Sequence, residues 1–508
     1  MHLLDWIVMA AFFLSMIFLG WWSRIFIRNT NDFFTGSGKM PWWLVGISHH
    51  MSGYSAVVFT AYAGVAYKYG FTIYIWWALP VALACYLGVW VFAPRWSRLR
   101  SKYRIESPME FISTRYDVPT QQLLAWWGVL LKILDVGAKW VALALILAAF
   151  ADMDLIPAVL LSVSVGLFYS MIGGLWASVL TDFVQFIVQF VAGIVIFCYA
   201  LVLLGGISSL WTLWDRLPPE HSRWLVGQWD EAFLVGILLI YILGYNGGTW
   251  NLAQRYIAAP TGKDAKKAAI LSSTLYLVWP LVLFFPMWAA PILIPGIPEA
   301  DYEKSYCIMT MQFLPAGLVG LLLASLVAHT LAMTTSDATA ITAVLARDIV
   351  PKMWKRAATF NEKQALWLAR WITLIFMILT ALIAIFSDQF GGMLGLILSW
   401  FSALLGPVSI PMLLGLLPQF RRCGSGAAFA SVFTGLFVFI VCKYDWFFPT
   451  SFGIDILAPT LTALVVYLLL GGYNVVFGIP PKPEAVAMLQ ALNSEGDSDG
   501  SSLNIQTI

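Results

Sequence analysis

The sequence predicts an all-α polytopic membrane protein with about 13 transmembrane helices. Three observations carry that prediction. Of the 508 residues, 60% are hydrophobic and only 11% charged, against about 25% charged in soluble domains. Apolar runs long enough to cross the hydrocarbon core as helices recur from end to end. The basic residues gather in alternate connections, the pattern of a chain that threads a bilayer repeatedly. The 25 Trp fit interfacial belts and would also suit a solute pathway.

The expected spans, in order, lie near 4–26, 41–66, 71–93, 120–150, 155–172, 174–204, 232–253, 267–295, 316–346, 364–386, 390–417, 425–442 and 457–473. With the N-terminus outside and the C-terminus cytoplasmic, 22 of the 29 Lys and Arg fall in cytoplasmic segments and five outside. Arg24, Arg98, Arg255, Lys263 and Arg347 are among the cytoplasmic set. This bias fits an odd number of spans in a bacterial-type inner membrane. The first apolar stretch, Leu3 to Phe26, is long enough to span and has no small-residue cleavage site after it, so no cleavable signal is expected. Residues 1–475 read as the transmembrane domain, and 476–508 as a disordered cytoplasmic tail too short for an attached enzyme domain.

Composition and motifs exclude several classes. The net charge of +2 by itself says nothing about partners; a small-molecule solute and the lipid bilayer are the expected partners, and no nucleic acid. The five Cys have no CxxC spacing and read as small apolar residues rather than a disulfide framework. No nucleophile–base set suggests an enzyme. His49, His50 and His329 lack zinc-type spacing.

Two spans are interrupted. The second reads VGISHHMSGYSAVVFTAYAG and the seventh LLIYILGYNGGTWNLAQRY. Glycine weakens a helix by about 1 kcal/mol per residue. Exposed backbone in lipid costs more, so a break survives only where it lines a cavity or a ligand. The two breaks begin five spans apart, and paired interruptions point to a transporter with a midplane site. The alternative is two glycine-rich packing faces. Ser52, Tyr54 and Asn246 stand in the breaks and are candidate solute contacts. His50, beside the first break, would bond solute, act as a titrating switch, or be a satisfied core histidine.

The ninth span places Thr334 and Thr335 side by side in an apolar helix. Hydroxyls there, with free carbonyls of a broken helix opposite, would give a hard cation its oxygens. Alternatively, each Thr bonds back to a carbonyl one turn earlier. Asp182, about eight residues into the sixth span, and Asp337 are buried carboxylates, and intramembrane acids mark ion or proton paths. The other readings are a structural ion pair or a protonated carboxyl. No Lys or Arg lies within the sixth or ninth span to pair with Asp182. A cation held by Asp182 with Thr334 and Asp337, or a proton shared between the two acids, is therefore expected. In the fourth span Lys132 and Lys139 flank Asp135 at i−3 and i+4 and share its face. Either they neutralise it, or Lys139 is spare and meets an anionic solute.

Several stretches resemble the solute–sodium symporter family of sodium-coupled sugar, proline and sialic-acid carriers. NTNDFFTGSGKMPWW, IESPMEFISTRY, LTDFVQ and QRYIAAPTGKDAKKAA are similar to the family's first cytoplasmic loop, its loop after the third span, its Thr-Asp-x-x-Gln motif and the segment after its broken seventh span. The resemblance covers roughly residues 5–475. It implies a leucine-transporter-type five-plus-five inverted repeat, about 41–204 and 232–417, preceded by one extra helix. It also implies sodium at the Ser48, Met51 and Leu331 carbonyls and the Thr334 and Thr335 hydroxyls, with one or two ions in all. Asp182 and Asp337 stand at positions of a second sodium site, where the next hydroxyl is replaced by Ala338.

The positions that align with the sugar carriers' polar contacts are Ser55, Ile75, Thr249, Tyr276 and Ser399, and these are not the sugar carriers' residues. Lys139 lies near the sialic-acid carriers' carboxylate-binding Arg. The expected activity is sodium-coupled import of a small organic solute by a monomer. A neutral sugar or polyol is favoured over an amino acid, a carboxylate or an acidic sugar. A sodium-responsive sensor and an ion channel are the rivals from other classes.

Overall fold

The computed structural model describes residues 2–151, 153–390, 405–446 and 451–494. Among these residues the chain is helical, without strands, as a lipid-embedded chain requires when every backbone group must be satisfied internally. Nine helices among the described residues are long and apolar enough to cross a membrane. Four expected spans fall outside that set for visible reasons. The second is broken, the fourth carries three charges, the fifth is short at Leu155–Phe168, and much of the eleventh lies outside the described residues.

The helices that matter below, in chain order, begin with α1 (Leu3–Ser23), α2 (Trp42–Met51), α3 (Ala61–Tyr69), α4 (Leu79–Val91) and α5 (Ala93–Tyr103). There follow α6 (Glu110–Arg115), α7 (Val118–Ala151), α8 (Leu155–Leu204), α9 (Glu231–Leu243), α10 (Asn251–Ala258) and α11 (Gly262–Leu293). The rest are α12 (Leu318–Val344), α13 (Glu362–Ile385), α14 (Gly406–Leu414), α15 (Ser425–Lys443), α16 (Phe452–Val476) and α17 (Pro483–Asn493). The fifth and sixth expected spans form the one element α8, bent at Gly174 with φ +47° and ψ −135°. A Cβ there would come within 2.6 Å of the Phe33 carbonyl oxygen, so only glycine allows the bend and the close approach together.

Helix α12 is the most enclosed of the apolar spans: 83% of its most apolar stretch is buried, against 28% for α1. It packs on α1, α7, α8 and α13. Asp5 fixes its start, accepting the Gly317 and Gly320 amides at 2.7 and 2.9 Å. A carboxylate on these unpaired amides also complements the helix dipole.

Both interruptions are present. α2 stops at Met51, and the chain resumes through a 3-10 turn, Ala56–Phe59, into α3. α9 passes into a π turn, Gly244–Gly248, before α10. Gly247 takes φ +124° against the Trp96 indole, whose Nε1 donates to the Asn246 carbonyl at 2.9 Å.

The structure corrects the expectation of a wholly disordered tail. Helix α17 buries Ala485, Met488, Leu489 and Leu492 and packs on α5 and α6. Arg98 and Lys102 donate to its final carbonyls, Leu492 and Ala491, at 2.8 and 2.7 Å. Cations at a helix C-terminus satisfy those open carbonyls and offset the dipole.

Candidate functional site

A cavity lies between the two breaks. The first break contributes Ser52, Gly53 and Ser55, and the second Gly244, Thr249 and Asn251. Asp135 and Lys139 of α7 and Met333 of α12 close it from the other side. Four rings, Tyr62, Trp77, Tyr241 and Tyr245, complete the wall.

Of the predicted solute contacts, Ser52, Ser55, Thr249 and Lys139 line this cavity. His50, Tyr54 and Tyr276 stand behind it. The Tyr54 and Tyr276 rings stack at 5.6 Å, His50 lies against Tyr276 at 4.6 Å, and the Tyr276 hydroxyl donates to the His50 carbonyl at 2.9 Å. Tyr276 thus takes up a backbone carbonyl that the break exposes. Asn246 also turns away, its Nδ2 donating to the Ala84 and Ile242 carbonyls at 2.9 and 2.8 Å. It braces the π turn instead of facing solute. Ser399 lies outside the described residues. Sequence reasoning missed the four wall rings, Asp135 as a cavity residue, and Asn251. The interrupted pattern around the breaks was the available signal for Tyr245 and Asn251, whereas nothing local marks Tyr62 or Tyr241.

Helix α12 holds the first break on both sides. The Thr330 hydroxyl accepts the Ala56 amide at 2.8 Å, and the Ser52 and Ser336 hydroxyls are 2.9 Å apart. Between these staples stand the hydroxyls expected to bind sodium. Thr334 donates to the Thr330 carbonyl at 2.7 Å and Thr335 to the Leu331 carbonyl at 2.6 Å. The back-bonded alternative is therefore what the helix does. It does not exclude a cation, because a hydroxyl that gives its proton along the helix keeps its lone pairs for a ligand. The Ser48 and Met51 carbonyls accept the Ser52 and Tyr54 amides at 2.9 and 3.4 Å. Each carbonyl oxygen retains a second lone pair.

The two carboxylates each have a cation of their own. Arg255 Nη2 lies 3.4 Å from Asp182 Oδ2, donates to Ser178 Oγ at 2.7 Å and also bonds Ser336 Oγ. Ser48 Oγ donates to the same Asp182 oxygen at 2.5 Å. Arg255 and Asp182 are fully buried. This corrects two expectations: Arg255 is not a cytoplasmic loop charge, and Asp182 does not lack a protein partner. The partner comes from α10, beyond the second break, where a search within spans could not find it.

Asp337 is engaged elsewhere. Its two oxygens accept Lys132 at 2.8 Å and Lys139 at 2.6 Å, and Asp135 Oδ2 accepts the same two ammoniums at 3.0 and 2.7 Å. The four groups form a closed, buried ring of zero net charge. Lys139 is thus not spare. Asp182 and Asp337 thus stand in two separate ion clusters on neighbouring faces of α12, so a second sodium between them loses the motive that unpaired carboxylates supplied. The proton shared between the acids loses its motive as well, because each acid faces a cation. Among the described residues, no group of three or more His, Cys, Asp or Glu could hold a metal.

The family model for the sodium:solute symporter family matches residues 33–435. The chain belongs to the sodium:solute symporter family. It is 22% identical over 495 residues to the sodium/sialic acid symporter SiaT of Proteus mirabilis (strain HI4320), covering 91% of this chain and 95% of that one. It is 25% identical over 379 residues to the sodium/glucose cotransporter of Vibrio parahaemolyticus, covering 68% of each. The structure of a Na+-coupled sialic acid symporter in a substrate-bound outward-open state superposes with a TM-score of 0.81 at 20% identity, over 95% of this chain and 99% of that one. The symporter described here shares that fold. The named cargoes of these relatives differ, so family membership establishes sodium:solute symport as the class and leaves the solute to the site itself.

Proposed function

We propose that the symporter imports a small neutral organic solute, a sugar or polyol, bound in the cavity between the two breaks and driven by one sodium ion. The observation that carries the reading is the stapling of the broken α2 to α12 by Thr330 and Ser336, with Thr334 and Thr335 between the staples. Sodium at the Ser48, Met51 and Leu331 carbonyls and the Thr334 and Thr335 hydroxyls would hold those two helices together next to the solute. Its loss towards the cytoplasm would release them. The segments 41–204 and 232–417 are the two inverted repeats of this reading, and the N-terminus lies outside. The rings of Tyr62, Trp77, Tyr241 and Tyr245 suit stacking on sugar faces. Neutrality follows from the pairing of Lys139 with Asp135 and Asp337, which leaves no uncompensated cation for a carboxylate.

Uptake of a labelled panel of sugars, polyols, amino acids and carboxylates, with and without sodium, tests the reading. One sodium falling through 100 mV releases about 2.3 kcal/mol, and a tenfold gradient adds about 1.4 kcal/mol. A neutral member of the panel should therefore accumulate roughly several hundredfold. Uptake independent of sodium would overturn the proposal.

A further inference from the structure

The ion ring divides into a half that the cavity sees and a half that it does not. Asp135 and Lys139 line the cavity, whereas Lys132 and Asp337 do not and are almost wholly buried. Each hidden group bonds one visible group and the other hidden one: Lys132 reaches Asp135 at 3.0 Å, Asp337 holds Lys139 at 2.6 Å, and Lys132 and Asp337 are 2.8 Å apart. The visible pair alone is already neutral, and so is the hidden pair. Removing one hidden charge therefore gives the whole ring a net charge, which the visible groups present to the cavity. With Asp337 neutralised, two ammoniums share the single carboxylate of Asp135. With Lys132 removed, two carboxylates share the single ammonium of Lys139. In a site of low dielectric such an imbalance acts strongly on whatever enters.

We propose that Lys132 and Asp337 set the charge selectivity of the solute site without touching the solute. By balancing the ring they make the cavity select solutes of zero net charge, and loss of either one switches the preferred sign. The inference rests on the cavity being the solute site. A carboxylate entering the native ring could take Lys139 only by stripping a buried Asp of its partner. A neutral solute leaves the ring closed, and a zwitterion could exchange with the Asp135–Lys139 contact without changing its charge.

The test uses the full-length protein in four forms: wild type, Asp337→Asn, Lys132→Met and the double variant. Binding is read as competition among a neutral hexose, its uronic acid and its 2-amino derivative, beside the corresponding set of a small alcohol, carboxylate and amine. Relative to wild type, Asp337→Asn should gain about tenfold or more in preference for the acid. Lys132→Met should gain as much for the amine, and the double variant should return to neutral preference. The same ranking in all four folded forms, or a wild type that prefers a charged compound, would overturn the inference.

A second measurement needs no known solute. The difference in fluorescence between wild type and Trp77→Phe isolates a ring on the cavity wall. With each ion's quenching normalised to its quenching of free indole, iodide should gain over wild type in Asp337→Asn, and caesium in Lys132→Met. An iodide-to-caesium ratio that is the same in wild type and both variants overturns the inference. Inversion of quenching between the two variants, with no panel compound bound by any form, would sustain the charge inference and reject the solute reading.

Discussion

Replacing Arg255 with Gln tests how many cations a transport cycle uses. In the native chain the Arg255 guanidinium is 3.4 Å from Asp182, and both are fully buried. Two unit charges about 4 Å apart attract by on the order of 4 kcal/mol at an effective dielectric of about 20. Removing one partner of a buried pair costs about 3–5 kcal/mol, because the other charge is left uncompensated. Arg255→Gln should therefore lose about 3–5 kcal/mol of stability in sodium-free buffer. Asp182→Asn with Arg255→Gln should lose much less than that single change. The carboxylate freed by Arg255→Gln keeps hydroxyls near it: Ser48 bonds it directly, and Ser178 and Ser336 lose their guanidinium partner. That is an anionic set of hard oxygens, and sodium should enter it. A ligand at about 100 times its dissociation constant restores about 2.7 kcal/mol. The assay is heat unfolding in detergent over a sodium series, with potassium replacing sodium at constant ionic strength, beside the sodium dependence of uptake. The Hill coefficient should be near one in wild type and rise towards two in Arg255→Gln. A wild-type coefficient near two, or a variant that sodium does not rescue, would refute the assignment of Arg255 as the resident counter-charge.

Thr335→Ala should raise the sodium concentration needed for half-maximal uptake at least tenfold with expression near normal; unchanged sodium dependence would remove the ion from Thr334 and Thr335. Asp5→Ala should destabilise the protein by about 1–3 kcal/mol, since it leaves the Gly317 and Gly320 amides of α12 without their acceptor, and thermal unfolding measures this. Burial raises the Glu106 carboxyl to about 7, although Arg347 opposes the shift. A raised acid contributes stability that is complete below its unfolded value near 4.5 and lost as pH rises through about 7. Glu106→Gln should therefore flatten the pH dependence of unfolding between about 4.5 and 7, by up to about 3 kcal/mol; an unaltered pH profile would refute this.

Much of the fold was legible because lipid leaves few solutions. A span must be apolar over about 20 residues, so Leu3–Phe26 and Glu362–Ile385 declare themselves. The breaks were legible for the converse reason, since GYNGG inside an apolar run has no stable place against lipid. The pairings were not, because they join residues far apart in sequence: Lys132 meets Asp337 across 205 positions, and Arg255 meets Asp182 across 73. Arg255 was also hidden by its setting. It stands in a polar stretch that continues into Lys263 and Lys266, so a reading by hydropathy places it in a loop. The tail helix carried a readable signal in Ala485, Met488, Leu489 and Leu492, spaced i, i+3, i+4 and i+7. The prolines before it and the Ser- and Gly-rich sequence after it outweighed four apolar residues.

The two ion clusters bear on coupling through their place on α12. Ser336 and Asp337 are consecutive and so differ by about 100° around the helix. Ser336 contacts Arg255 and Asp337 contacts the lysines, immediately after the hydroxyls proposed for sodium. Both clusters are balanced: one guanidinium faces one carboxylate, and two ammoniums face two carboxylates. The sodium site proposed next to them would consist only of carbonyls and hydroxyls, with no formal charge. An ion arriving at that proposed site would add its full charge to a neutral surrounding, and its binding would draw α2 and α12 together through neutral oxygens. A neutral solute adds no further charge, so the cycle should move one positive charge per solute. That ratio follows from the balance of the clusters, and either Arg255→Gln or Asp337→Asn, which unbalance different clusters, should alter it independently of the other.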